Sequence, residues 1–153
     1  IVVTYVAGPP VWSALDTWDG GAFLEDAFVH GQTLALTQGL TQIMKFAVQR
    51  PAPLVYDDRV PVDVKERRDA ARAFWSSHTA TAFAGATSQA VTYWLRHPRD
   101  PWRYAVLATN LAAAAAVGML KVDAGYHYWS DVGAGALAGA SLGVLVPMLH
   151  ARY

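Results

Sequence analysis

Four stretches of the chain contain no Asp, Glu, Lys or Arg, and loops rich in Pro, Gly and charged residues separate them. The stretches are residues 27–44, 79–95, 104–120 and 132–149, each 17 or 18 residues long. At about 1.5 Å per residue, each would form roughly 26–27 Å of helix. The alternation of apolar and polar residues that is typical of β-strands is absent. The pattern therefore predicts an all-α fold, an antiparallel helical bundle.

We expect one helical domain over residues 1–153, with its core at about 27–149. The chain begins at Ile1, and residues 1–15 are apolar but lack the basic start of a signal peptide. We therefore interpret this segment as the end of an element that was cut upstream, and we expect the N-terminus to be truncated.

Length and composition also bear on whether the bundle lies in a membrane. Helices of this length are at the short end of what spans a bilayer, and 54% of the residues are hydrophobic, against roughly 45–50% in soluble domains. Gly135, Gly139 and Gly143 have the spacing that lets membrane helices pack closely. We expect a membrane-embedded bundle in the bacterial inner membrane, with its site facing the periplasm. The alternative, favoured by Gln and Thr residues in the first stretch, is a tightly packed soluble bundle in the periplasm.

The balance of charge and the lack of cysteine exclude several functions. The 12 basic and 12 acidic residues give a formal net charge of +0. The basic surface typical of nucleic-acid binding is therefore missing, and we expect no nucleic-acid partner. With 0 cysteines, disulfides, thiol nucleophiles and cysteine-ligated metals are excluded. No cofactor is expected.

The residues with candidate chemistry collect at one end of an antiparallel bundle. The loops at residues 45–75 and 121–126 both fall at this end. It carries Lys45, Arg50, Ser76, Ser77, His78, Lys121, His127 and Asp131. Their convergence indicates one site.

Two histidines are the first candidates for catalysis. His127 and Asp131 are four positions apart, and on a helix such positions share a face. The Asp131 carboxylate could then fix the imidazole tautomer and raise its basicity, as a nucleophilic histidine needs. His78 would remain available as a general acid. A capping or purely structural contact between His127 and Asp131 is the alternative.

The surroundings of His78 suit an anion. Ser76 or Ser77 can cap the following helix, whose free amides and dipole attract negative charge. Lys45, Arg50 and Lys121 add cations that would stabilise the transition state of a phosphoryl group, although a lysine at a helix end also favours the helix dipole. A metal site of His78, His127 and Asp131 is a further reading. We expect no metal, because the nearby cations would repel it.

These residues resemble three motifs of the type 2 phosphatidic acid phosphatase family, which shares its site with vanadium-dependent haloperoxidases. The first motif, Lys-x6-Arg-Pro, is matched at Lys45 and Pro53, with Ala52 in place of the arginine. Arg50, two residues earlier, occupies a position where many members carry an additional arginine. The resemblance extends over residues 27–145.

The other two motifs are matched in part. The second, Pro-Ser-Gly-His, reads Trp75-Ser76-Ser77-His78. The third, Ser-Arg-x5-His-x3-Asp, keeps its histidine and aspartate as His127 and Asp131. In the third motif Leu120 replaces the serine and Lys121 replaces the arginine.

The resemblance implies a phosphatase that acts through a covalent phosphohistidine. His127 would be the nucleophile, Asp131 its partner and His78 the general acid. The phosphate would be bound by Lys45, Arg50, Ser76, Ser77 and Lys121. We expect a metal-independent hydrolysis of a phosphomonoester or diphosphate, with a lipid phosphate or diphosphate as the substrate.

Two alternatives stay open at this point. The first is a weak or inactive membrane protein that keeps the fold, because Ala52 removes a cation of the motif and Lys121 lacks the bidentate fork of arginine. A vanadate-dependent haloperoxidase is the other, and the short chain argues against it. Substrate selectivity is expected in the loop at residues 56–74.

Overall fold

The computed structural model describes residues 20–151, so the interpretation of residues 1–15 lies outside the described part. Residues 20–151 form five helices: α1 (Gly20–Val48), α2 (Val62–Lys65), α3 (Ser77–Arg96), α4 (Trp102–Asp123) and α5 (Trp129–His150). A 3-10 turn, Pro53–Tyr56, follows α1. The described residues contain no strand, which confirms the all-α prediction. Each of the four charge-free stretches lies inside one of the four long helices.

The helix α3 is the central element, because it contacts α1, α4 and α5, and its contact with α5 is the most extensive. Small residues allow this approach, since the buried positions of α3 are mainly Ala, Thr, Ser and Gly. The starts of α3 and α5 are joined by a hydrogen bond from the Ser76 amide to the Asp131 carbonyl, at 3.1 Å. α3 and α5 therefore begin at the same end of the bundle.

Gly135, Gly139 and Gly143 form the surface of α5 that packs against α3. A Cβ atom added at Gly135 would lie 2.8 Å from the Ser76 carbonyl oxygen. A Cβ at Gly139 would lie 2.1 Å from the carbonyl oxygen of Ala80, and one at Gly143 would lie 2.5 Å from that of Ala84. Only glycine leaves room for backbone to pack on backbone at this distance.

The first helix turns its polar side inward and its apolar side outward. The buried positions of α1 are Asp26, Val29, His30, Thr33, Thr37, Thr41 and Lys45. Each threonine donates its hydroxyl to the carbonyl four residues earlier, at 2.7–2.9 Å. Leu24, Phe28 and Ile43, in contrast, are each more than 60% exposed. This distribution is the reverse of that in a helix packed in a water-soluble protein.

The loop between α1 and α3 has a small core of its own. Ala52, Leu54, Ala70 and Ala73 are buried together in it. The loop is tied to the α4–α5 connection by a 2.9 Å hydrogen bond from the Leu54 amide to the Gly125 carbonyl. The two loops expected at one end of the bundle therefore meet there.

Candidate active site

The start of α3 forms one wall of the candidate site. Ser76 is the N-cap, and its hydroxyl accepts hydrogen bonds from the Thr79 amide at 3.4 Å and the Thr79 hydroxyl at 2.9 Å. Ser77 and His78 are the first two residues of the helix. Their amides are too early in the helix to have partners four residues back, so they remain available to an anion together with the helix dipole.

The start of α5 forms the opposite wall. Asp131 is fully buried, and its Oδ2 atom accepts a 2.9 Å hydrogen bond from the Tyr128 amide, which caps the helix. The other carboxylate oxygen, Oδ1, accepts a 2.8 Å hydrogen bond from Arg50 Nη1. The same Arg50 nitrogen also donates to Ser130 Oγ at 2.7 Å. The Asp131 carboxylate therefore pairs with the Arg50 guanidinium and also holds the capping residue Tyr128 at the start of α5.

His127 lies next to this carboxylate but precedes the helix. Because α5 begins at Trp129, His127 and Asp131 do not share a helical face as the sequence analysis supposed. Their closest atoms, His127 Nδ1 and Asp131 Oδ2, are 3.8 Å apart, which is too long for a hydrogen bond. His127 Nδ1 is buried and has no hydrogen-bond partner among the described residues.

Burial dominates the protonation of His127. It lowers the pKa of His127 from 6.5 to about 4. The Asp131 charge and the nearby Ala73 backbone raise this pKa, while the charges of Lys45 and His78 lower it. Since burial outweighs the carboxylate, the imidazole is neutral at physiological pH and keeps a lone pair for nucleophilic attack.

Cations surround His78 at the solvent end of α3. Although part of its ring reaches solvent, partial desolvation is the main cause that lowers its pKa, followed by the charges of Lys121 and Lys45. The carboxylate of Asp69 acts in the opposite direction. Asp69 Oδ1 also lies 3.6 Å from Lys45 Nζ, so this exposed carboxylate stands where the buried lysine meets solvent.

The structure brings the eight candidate residues to one end of the bundle in two groups. The members of one group either lie at the start of α3 or act on His78 by their charge. The members of the other group surround Asp131. The first contains Lys45, Ser76, Ser77, His78 and Lys121, and the second contains Arg50, His127 and Asp131. His127 joins the two groups, because the charges of Lys45 and His78 both affect its pKa.

Three further residues contact the site and were missed by the sequence analysis. Asp69 lies in a loop of mixed charge that is typical of a solvated surface, so its sequence carries no signal. Tyr128 and Ser130 lie between His127 and Asp131 in the chain, and their place at the start of a helix is the one signal that could have indicated them. Ala52 is fully buried in the small core of the loop, so no cation replaces the missing arginine at that position.

Other regions offer less for catalysis. Within residues 20–151, no group of three or more His, Cys, Asp or Glu side chains is arranged to hold a metal ion. A cavity of about 350 Å³, lined by Asp26, Arg96 and His150 among others, lies at the opposite end of the bundle. Its Asp26 carboxylate is already held by Arg96 through hydrogen bonds of 2.6 and 3.0 Å. His78, His127 and the free amides at the start of α3 are at the other end.

One family of known proteins matches most of the chain. No curated protein and no solved structure matches the chain. A family model, that of the PAP2 superfamily, matches residues 26–152. The match includes α3, α4 and α5, nearly all of α1 and every loop that contributes to the site. The chain therefore belongs to the PAP2 superfamily.

Proposed function

We propose that this protein is a metal-independent phosphatase that hydrolyses a phosphomonoester or diphosphate, with a lipid phosphate as its substrate. Membership of the PAP2 superfamily points to phosphatase-type activity. The observation that carries the specific proposal is the state of His127: it is buried, its pKa is lowered to about 4, and Lys45 and His78 are close enough to act on it. A neutral imidazole beside cations is suited to attack a phosphate.

The reaction would proceed in two steps. His127 Nε2 attacks phosphorus, because Nδ1 faces Asp131, and a covalent N–P bond forms as the ester P–O bond breaks. The proton of His78 passes to the leaving oxygen. In the second step water attacks the phosphohistidine, His78 takes a proton from that water, and inorganic phosphate leaves. Atoms and charges balance without a cofactor or a metal.

The phosphate would be held by cations and by the start of α3. Lys45 and Lys121 supply charge for the equatorial oxygens, and the amides of Ser77 and His78 supply donors. Ser76 caps the helix by accepting hydrogen bonds from Thr79, so its own O–H group stays available to donate to the phosphate. A bound phosphate dianion also raises the pKa of His78 by adding negative charge beside it. Substrate binding would thus favour the protonated form that acts as the acid.

The exposed apolar surface supports a lipid substrate and a location in a membrane. Two helices, Trp102–Asp123 and Trp129–His150, are long and apolar enough to cross a bilayer. The outward apolar face of α1 extends this surface, since its polar residues are buried in the bundle. We propose that α1, α4 and α5 face lipid, in a bacterial inner membrane with the site toward the periplasm.

Phosphate release in detergent tests the chemistry. The purified chain is incubated with a phosphatidic acid in mixed micelles containing EDTA, and wild type is compared with His127→Ala. We expect the substitution to lower the rate by at least about 10³-fold and to abolish an acid-labile phosphoenzyme. Arg59→Gln is the matched control, because Arg59 is exposed and pairs with Asp57, at 2.9 Å. Unchanged phosphate release by His127→Ala would refute the mechanism.

The same assay tests a second candidate function, in which this chain is an inactive member of the superfamily. Ala52 favours this second candidate, because its burial in an apolar core leaves the phosphate with one cation fewer than the family motif provides. A wild-type rate equal to that of His127→Ala, with both proteins folded, would support it. Comparison of phosphatidic acid with a short water-soluble phosphomonoester then tests whether the lipid is required.

A further inference from the structure

Arg50 is held against the start of α5 by three contacts. Its Nη1 atom donates hydrogen bonds to Ser130 Oγ at 2.7 Å and to Asp131 Oδ1 at 2.8 Å. Its guanidinium carbon lies 4.0 Å from the centre of the Tyr128 ring, in a cation–π arrangement. All three partners lie within four consecutive residues, so the guanidinium is fixed relative to this turn.

The carboxylate of Asp131 depends on this arginine for a balancing charge. Asp131 is 0% exposed, and a buried carboxylate without a cation is strongly unfavourable. Its other close neighbours are the uncharged amide of Tyr128 and the imidazole of His127. Among the described residues, Arg50 is the one cation in a hydrogen bond or ion pair with Asp131.

Arg50 also determines which way the carboxylate points. While Oδ1 is bound to Arg50, Oδ2 is directed to the Tyr128 amide and toward His127 Nδ1. Without the arginine, the Tyr128 amide is the one hydrogen bond among the described residues that still opposes rotation of the Cβ–Cγ bond. The negative charge that Oδ2 holds 3.8 Å from His127 Nδ1 would then be less well placed.

We propose that Arg50 is a positioning residue, which orients the Asp131 carboxylate toward His127 and balances its charge, and is not a ligand of the phosphate. The proposal rests on the phosphatase function proposed above, in which His127 is the nucleophile. It separates Arg50 from Lys45 and Lys121, whose charges act on His78. It also replaces the phosphate-binding role that the family resemblance suggests for Arg50.

Steady-state kinetics distinguish the two roles. If Arg50 acts through Asp131, Arg50→Gln lowers kcat by about 10- to 100-fold, as loss of a supporting partner does at other sites. KM and inhibition by inorganic phosphate then stay within about 2-fold of wild type. Arg50→Lys recovers part of kcat, because it keeps the charge. Lys121→Gln is the matched control and mainly weakens inhibition by phosphate.

The protonation of His127 supplies a readout that does not depend on activity. The groups that face His127 are Asp131 from α5, Lys45 from α1, His78 from α3 and the Ala73 backbone from the loop. Loss of Arg50 leaves the Asp131 charge unbalanced beside His127, so the pKa of His127 rises. Nitrogen NMR of the histidine rings, recorded against pH, measures the shift.

Ser130 provides an independent variant, since it contacts Arg50 and not His127. Ser130→Ala loosens the arginine and should shift the His127 titration in the same direction by a smaller amount. The double variant Arg50→Gln, Ser130→Ala should match Arg50→Gln alone, because Ser130 acts through Arg50. Lys121→Gln, in contrast, should leave the His127 titration at its wild-type position.

The outcomes separate this proposal from the function on which it rests. Weaker phosphate inhibition in Arg50→Gln, with an unshifted His127 titration, would overturn the positioning role and make Arg50 a phosphate ligand. If wild type releases no phosphate, the proposed function fails, and the NMR titration still decides the role of Arg50. If Arg50→Gln does not fold, Ser130→Ala gives the decision by the same titration, and an unshifted His127 in that variant would overturn the positioning role.

Discussion

Gly139 offers a sharp test of the packing that holds the site together. In Gly139→Ala the new methyl group would lie 2.1 Å from the carbonyl oxygen of Ala80 and 2.8 Å from its carbonyl carbon. Both atoms belong to the α3 backbone and cannot rotate away, so α3 and α5 must separate. The oxygen is more than about 1 Å inside ordinary contact distance.

The expected change in the free energy of unfolding follows from two opposing effects. Overpacking of this kind costs about 1–3 kcal/mol, and Gly→Ala in a helix returns at most about 1 kcal/mol. Gly133→Ala is the matched control, because it lies on the same helix with nothing within 4 Å of the added Cβ. We expect Gly133→Ala to be neutral or stabilising by up to about 1 kcal/mol and Gly139→Ala to be destabilising by about 1–2 kcal/mol.

Unfolding in mixed micelles, followed by far-UV circular dichroism against the mole fraction of SDS, measures both variants. Phosphate release gives a second readout. Because the Ser76 amide is bonded to the Asp131 carbonyl, separating the helices also displaces His78 from His127. If Gly139→Ala is as stable as Gly133→Ala, the close contact between α3 and α5 does not exist in solution.

Three further predictions concern single contacts near the site. Between about pH 6.5 and about 4, the free energy of unfolding should fall with falling pH, because unfolded His127 binds a proton that the folded residue, with its pKa lowered to about 4, does not. The loss of stability over this pH range should reach at most about 3 kcal/mol. Unfolding measured against pH should show this loss in wild type and not in His127→Gln, and equal pH profiles for the two proteins would contradict the prediction. Trp75→Phe removes the 2.8 Å hydrogen bond to Thr41 Oγ1, so unfolding should cost about 1 kcal/mol less, and a stability equal to wild type would count against this contact. Asp69→Asn frees Lys45 for the substrate and should lower KM by up to about 5-fold, while kcat falls because loss of this carboxylate lowers the pKa of His78 further. A raised KM in steady-state assays would show instead that Asp69 assists binding.

The sequence predicts the long helices because their interiors are free of charge, but it misplaces the start of the first. α1 begins at Gly20, seven residues before the charge-free stretch, and includes Glu25 and Asp26. Asp26 is tolerated because Arg96, from α3, pairs with it at 2.6 Å. Such a contact between residues far apart in the chain cannot be deduced from local patterns.

The site shows the same division between local and long-range information. The cap at Ser76 could be predicted from the residue type and its place before an apolar stretch. The relation of His127 to Asp131 could not, because the four-residue spacing implies a shared helical face only if both residues are helical. Arg50, which pairs with Asp131, and Asp69, which pairs with Lys45, lie in a loop. The path of this loop depends on tertiary contacts.

The glycine contact between α3 and α5 has a consequence for how this chain could diversify. It fixes the relative position of the nucleophile and the acid through main-chain packing, whereas the loop at residues 53–73 has its own small core. Headgroup preference could therefore change by exchange of residues 54–68, with Asp69 and Ala73 kept beside Lys45 and His127 so that the reaction geometry is inherited. In protein engineering, this makes the segment a candidate for transplantation between relatives.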